Sequence, residues 1–258
     1  MFLKYFSVFL FIPFISCSQE HRPETKVSWF VLGQDSVSVS VTDYGGKRQP
    51  VYINLHDDER TSLQAAIPVL KKYGGVLIKI NNSGERNLVC VIDSASYKFD
   101  PNRIFSRNGI VQSLVKHKRI SNKAIDEIEK FARFILDHLP EHPRLIIALH
   151  NNINGSLSIS SYSGNGEEAA DAAAVSRVHN ADPDDFMLTT ERTVYELFRN
   201  RFNVVLQDNH GARQDGSLSV YFAGKGIPYI NCETQHGHLP QFSRMLLAIH
   251  DSLDKIIR

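Results

Sequence analysis

Two histidines and two glutamates stand at the ends of apolar, β-branched runs in this chain. His56 follows Val51-Tyr-Ile-Asn-Leu55, with Glu59 three residues on. His150 follows Leu145-Ile-Ile-Ala-Leu149, and Glu233 follows Pro228-Tyr-Ile-Asn-Cys232. Short continuous apolar runs suit strands buried on both faces. In open parallel sheets, ligands bind beyond the carboxyl ends of the strands. Groups far apart in sequence would then converge at one sheet edge. His56, Glu59 and His150 offer two imidazole nitrogens and a carboxylate, a donor set that leaves one zinc ion an open fourth position, the catalytic pattern rather than the closed structural one. Glu233 falls outside that set and fits a general base. One histidine at a strand end is ordinarily structural; three equivalent strand ends point to a site. Asp57 and Asp58 read as spacers between His56 and Glu59, either solvated or supporting the ligands from behind, and not as ligands themselves.

The elements that must position these groups follow from periodicity. "VSWFVL" and "SVSVSVT" (36–42) predict an antiparallel hairpin, with turns at Asp43-Tyr-Gly-Gly and Lys47-Arg-Gln-Pro. Residues 61–73 predict a helix stopped by Gly74-Gly75, in which Pro68 makes a kink or forces an irregular turn. "GVLIKI" (75–80), "NLVCVI" (87–92), "RLIIAL" (144–149) and "NVVLQ" (203–207) read as strands. So do "SLSISS" (156–161), "SLSVYF" (217–222) and "PYINC" (228–232). Residues 121–138 form the clearest amphipathic helix, with Ile125, Ile128, Phe131, Phe134, Ile135 and Leu139 at helical spacing. Helices are also expected over 191–201 and 240–257. "YSGNGEEAADAAA" (162–174) lacks the lysine and spacing of a phosphate loop and reads as a mobile loop near a pocket. Strands alternating with helices predict a single α/β domain over 27–258. Its central sheet is mostly parallel or mixed, with helices on both faces.

The N-terminus carries a separate message. Lys4, an apolar run from Tyr5 to Ile15, and Ser16-Cys17 have the order of a secretory signal, too short to span a bilayer. Cysteine directly after Phe14-Ile15-Ser16 resembles a bacterial lipoprotein cleavage box. The expectation is a signal over 1–16, lipidation at Cys17 and a polar tether over 17–26. That places the protein in the bacterial envelope, membrane-anchored, in the periplasm or at the outer membrane. Loss of residues 1–16 removes Lys4 and no acid, taking the formal charge from +1 to zero. With no basic block, nucleic acid is not an expected partner. Cys90 and Cys232 sit in apolar runs without metal-ligand spacing and read as buried free thiols.

Four segments then resemble one family. "HDDE" (56–59) is similar to the His-x-x-Glu zinc motif of zinc carboxypeptidases and the related succinylglutamate desuccinylase/aspartoacylase enzymes. "LHNNINGSLS" resembles their second histidine motif, nearer the aspartoacylase branch. "DPNRIF" (100–105) resembles Asp-x-Asn-Arg-x-Phe, and "GSLSVYFAGKGIPYINCE" (216–233) resembles the segment that ends in the catalytic glutamate. The order also agrees, over roughly residues 50 to 240. The resemblance implies a carboxypeptidase-like fold and one zinc ion held by His56, Glu59 and His150. It implies Glu233 as general base and Asn102 and Arg103 as binders of a substrate carboxylate. Arg86 is the candidate for the arginine that polarises the scissile carbonyl, or else a solvated charge at a strand start. Where carboxypeptidases carry a tyrosine, this chain reads "QDNHGARQD", so His210 or Arg213 takes that place or nothing does. His236 and His238 would line the pocket.

The expected function is zinc-dependent cleavage of an amide bond beside a free carboxylate, in a small peptide such as one from peptidoglycan. The alternatives are N-acyl amino acid deacylation and an inactive binding lipoprotein on the same fold.

Overall fold

The runs that open on Val51, Ile146 and Tyr229 do form the central strands, because their side chains are covered on both faces. The computed structural model describes residues 22–46 and 50–257. The signal region, Cys17, the first part of the tether and the turn residues 47–49 lie outside the described residues. In chain order the elements are β1 (Glu24–Leu32), β2 (Asp35–Asp43), β3 (Val51–Asn54), α1 (Arg60–Tyr73), β4 (Val76–Asn81), β5 (Leu88–Ile92) and β6 (Ala95–Phe99). They continue through α2 (Arg107–Lys116), α3 (Asn122–Leu136), β7 (Ile146–Asn152), β8 (Ala172–Ser176), β9 (Phe186–Thr189) and α4 (Arg192–Phe198). The last are β10 (Asn203–Gln207), α5 (Leu218–Lys225), β11 (Tyr229–Gln235), α6 (Leu239–His250) and α7 (Leu253–Ile256).

Nine strands make one mixed sheet in the order β1-β2-β4-β3-β7-β11-β9-β10-β8. The inner run β4-β3-β7-β11 is parallel, whereas β1-β2, β2-β4, β11-β9 and β10-β8 pair antiparallel. Apolar side chains of α2, α3 and α5 pack on one face and those of α1, α4 and α6 on the other. The expected single α/β domain with helices on both faces is what the chain forms. The α3 face of Ile125, Ile128, Phe131 and Ile135 is fully covered. Each such side chain contributes about 1.5–3 kcal/mol. Ser121 caps the helix by accepting a hydrogen bond from the Ala124 N–H.

Several local expectations are corrected. β1 begins at Glu24, so residues 24–26, expected in the tether, belong to the sheet. Helix α1 runs on through Pro68. Pro68 and Gln64 both face solvent, where water satisfies the carbonyl that proline leaves unbonded. "SLSVYF" is helical, not extended. Gly216 at φ +77° turns the chain, and the Ser217 N–H donates to Asp215 Oδ1. Leu218 and Phe222, one turn apart, bury together, and left-handed Gly226 ends the helix. "SLSISS" forms a 3-10 turn over Ile159–Tyr162, and the small-residue segment after the glycine-rich loop is edge strand β8. "NLVCVI" is a strand, but it pairs with β6 in a separate two-stranded sheet. The final helix breaks at 251–252 into α6 and α7. The helix α2 and the strands β6 and β9 carry no signal read from the sequence.

Candidate metal and hydrolytic site

His56 lies two residues past β3, at the start of a tight turn in which the Glu59 N–H donates to the His56 carbonyl at 3.2 Å. That turn brings His56 and Glu59 to one point and makes Glu59 the residue that precedes helix α1. Its carboxylate does not cap its own helix. It faces inward, where the positive end of the helix favours its charge. Helix α1 is held from across the sheet instead: the Ser62 N–H donates to Asn151 Oδ1 at 2.9 Å.

His150 does not end its strand, nor does Glu233. The β7–β11 ladder runs on to Asn152 and Gln235 and sets Glu233 directly opposite His150. The ladder persists because Asn151 and Thr234 are buried and the Asn151 amide bonds the Thr234 carbonyl. These strands thus carry polar groups inside the sheet: His150 and Glu233 sit within the ladder, while the turn after β3 supplies His56 and Glu59.

His56 Nδ1 lies 3.0 Å from Glu59 Oε1 and 3.2 Å from His150 Nδ1, and His150 Nδ1 lies 3.0 Å from Glu59 Oε2. All three residues are buried. Two neutral imidazoles whose lone pairs face each other at that distance repel unless a proton or a cation lies between them. Ligands about 2.0–2.1 Å from zinc in a tetrahedral shell stand roughly 3.3 Å apart, close to the separations here. The donor set therefore fits a divalent metal ion. His56 Nε2 is 2.8 Å from Asp100 Oδ1, which holds the ring in the tautomer that turns the Nδ1 lone pair toward the cluster. Asp100 belongs to "DPNRIF", yet only Asn102 and Arg103 of that motif are expected in the site from sequence.

Electrostatics follow the geometry. Burial opposes charge on His56, but Glu59 and Asp100 outweigh it and push the imidazole up to about 9. Burial likewise opposes ionisation of Glu59 and Asp100, and the facing histidines overcome it and hold both well below the usual carboxylate range. Glu233 is pushed up to about 8, first by burial and then by the charge of Glu59; the Asn231 amide, donating to it at 3.3 Å, works the other way.

His56, Asp100, His150 and Glu233 line one cavity of about 260 Å³, and Glu59 lies buried behind its wall. Asn102, Arg103, Arg86 and His236 share it. Arg86 is no free surface charge: its Nη1 donates to Glu59 Oε1 at 2.6 Å. Asn102 accepts the Leu218 N–H through Oδ1, which leaves its amide nitrogen as the donor. Arg103 Nε lies 3.4 Å from Asp215 Oδ2. His210 is exposed and lies outside the cavity wall, whereas Arg213 lines it, ion-paired with Asp171 at 2.7 Å and with Glu168. His238 is absent from the wall and pairs with Asp185 at 3.0 Å.

The wall also takes residues to which the sequence assigns no role. Tyr162 opens the loop expected near a pocket, and Asn231, inside the segment that ends in Glu233, shares a strand face with it by their two-residue spacing. Asp58 lines the cavity with one carboxylate oxygen buried and unpaired. Asp57 is no mere spacer: it accepts the Asn82 and Gly84 N–H groups at 2.7 and 2.9 Å and pairs with Lys79, pinning the turn that delivers Arg86.

No known family profile matches the chain, and no curated protein matches it. Among solved structures, an aspartoacylase family protein from Mesorhizobium loti is 12% identical, with a TM-score of 0.43 over 91% of this chain and 68% of that one. A protein from Shewanella amazonensis named for the succinylglutamate desuccinylase/aspartoacylase family is 10% identical, with a TM-score of 0.43 over 91% and 73%. An aminopeptidase from Legionella pneumophila is 12% identical, with a TM-score of 0.39 over 91% and 59%. The first two names agree with the superfamily that the motifs resemble. Likeness at this level carries no functional weight, and the chemistry rests on the residues of the site.

Proposed function

We propose that this chain is a metal-dependent hydrolase that cleaves an amide bond beside a free carboxylate. The cluster of His56, Glu59 and His150, whose two histidines share one cavity with Glu233, carries this reading. The three residues would hold one zinc ion, which when bound polarises a carbonyl and acidifies water. Glu233 takes a proton from water at its carboxylate and passes it to the leaving amine. Its depth in the cavity keeps bulk water from competing for that proton, and the Asn231 amide orients its Oε2. Arg103 offers a planar fork, and Asn102 a neutral donor, to the substrate carboxylate. Arg86 stands beside the cluster, where a carbonyl oxygen developing charge would meet its guanidinium.

Asp58, Asn152 and Asn231 add polar groups to the cavity wall that a peptide backbone can meet. The N-terminal run and Ser16-Cys17 support export and a lipid anchor. In an envelope, peptides derived from peptidoglycan are then the natural substrates.

The test is metal content together with hydrolysis. Full-length protein refolded with zinc should carry about one ion per chain and release the C-terminal residue of short peptides. A chain with less than about a tenth of an ion overturns the metal site. Faster turnover of N-acyl amino acids than of peptides moves the assignment to the deacylase.

A further inference from the structure

The one tryptophan of the chain stands on its surface, 68% exposed. Trp29 lies in β1, an outermost strand of the large sheet, between Val27 (52% exposed) and Val31 (68%). Strand alternation puts these three side chains on one face. The opposite face of β1 is covered: Phe30 contacts Phe131 and Phe134 of α3 at ring centroids of 5.4 and 5.2 Å, and Leu32 is buried. Next to the bare face, β2 sets Ser40 beside Val27, Ser38 beside Trp29 and Ser36 beside Val31. The result is an apolar ridge bordered by hydroxyls, on a sheet face that α1 covers only farther in. A tryptophan and two valines left in water are costly unless something covers them.

We infer that this ridge docks on a lipid bilayer surface. Eight residues separate the end of the apolar run Tyr5–Ile15 from Glu24, and six separate Cys17 from it. Eight extended residues reach no more than about 28 Å. A membrane that holds the N-terminal run, or a lipid on Cys17, therefore stays within reach of β1. A short tether converts weak attraction into stable contact through effective concentration. Tryptophan suits the boundary between headgroups and acyl chains, where its ring is apolar and its N–H stays wet. Of the β2 serines, Ser36 is exposed and suits the headgroup side. The catalytic cavity opens at β3, β7 and β11, at least three strands in from this edge, so a docked ridge leaves it free. The inference rests on the membrane reading of the N-terminal run.

Trp29 alone reports on this. The full chain is mixed with phosphatidylethanolamine/phosphatidylglycerol vesicles, with and without bromine on the upper acyl carbons. Expected are co-flotation, a blue shift of the tryptophan emission, loss of acrylamide quenching and quenching by the brominated lipid. The exposed substitutions Val27→Ser and Val31→Ser together should return acrylamide access to Trp29 without lowering amide hydrolysis. A chain that floats while Trp29 keeps its aqueous emission overturns the docking and leaves the anchor standing. A chain that stays in solution overturns both. A shift that grows with protein concentration in the absence of vesicles assigns the ridge to a second copy and overturns the bilayer assignment.

Discussion

His56 and Asp100, 44 residues apart, meet at 2.8 Å, and this contact turns the other nitrogen of the histidine toward Glu59 and His150. A metal-facing imidazole whose second nitrogen donates to a carboxylate is both oriented and made more basic. Asp100→Asn should therefore weaken metal binding by about 10–100-fold, read by competition with a chromogenic chelator. Unchanged affinity would remove Asp100 from the site.

Glu233 is expected to serve the reaction and not the metal. Glu233→Gln keeps the size and the Asn231 contact but cannot take a proton. Metal content should be unchanged while kcat falls by roughly 10²–10⁴. Loss of metal together with activity would show instead that Glu233 is a ligand.

Arg103→Ala should raise KM and largely spare kcat for substrates with a free C-terminal carboxylate. A hydrogen bond to a charged group contributes about 1.5–3 kcal/mol, or on the order of 10–100-fold. The same peptides with an amidated C-terminus should show little difference between wild type and variant. Equal KM for the free acid in both proteins would end the carboxylate-clamp assignment.

Asp57→Ala should destabilise the fold through the turn at 82–84. It leaves the Asn82 and Gly84 N–H groups without their acceptor and Lys79 without its ion pair, with only Asn81 Oδ1 still bonded to it. The expected loss is about 1–3 kcal/mol, seen as a lower thermal midpoint. Because that turn leads to Arg86, activity should drop as well. An unaltered midpoint contradicts the anchoring role.

Cys90 and Cys232 are buried, unpaired thiols. Burial pushes Cys90 up to about 12, against an ordinary value of 9.0, and raises Cys232 further. The folded state thus keeps thiol protons that the unfolded state gives up, so stability falls as pH rises above 9. Each thiol contributes a slope of about 1.4 kcal/mol per pH unit there. Iodoacetamide labelling at pH 7 to 9 should be negligible until denaturant is added. Rapid labelling of native protein would show that either thiol is accessible.

The sequence by itself determined the central strands, the longest amphipathic helix and the chemical types at the site. Apolar β-branched runs at 51–55, 145–149 and 228–232 could be satisfied only by burial, and the amphipathic spacing of 122–136 only by a helix against a sheet. The residue types His56, Glu59, His150 and Glu233, each beside such a run, already implied donors at a sheet edge. Tertiary structure alone decided which atoms meet. Residues 94 positions apart face each other because β3 and β7 are neighbours. Neighbour choice and register come from burial summed over the sheet, which no local period encodes. The same holds for Asp100 behind His56 and for Asp57 beneath the turn to Arg86. It holds too for "SLSVYF", whose pattern permits a strand. A turn at Gly216, a cap at Gly226 and a core waiting for Leu218 and Phe222 made it a helix.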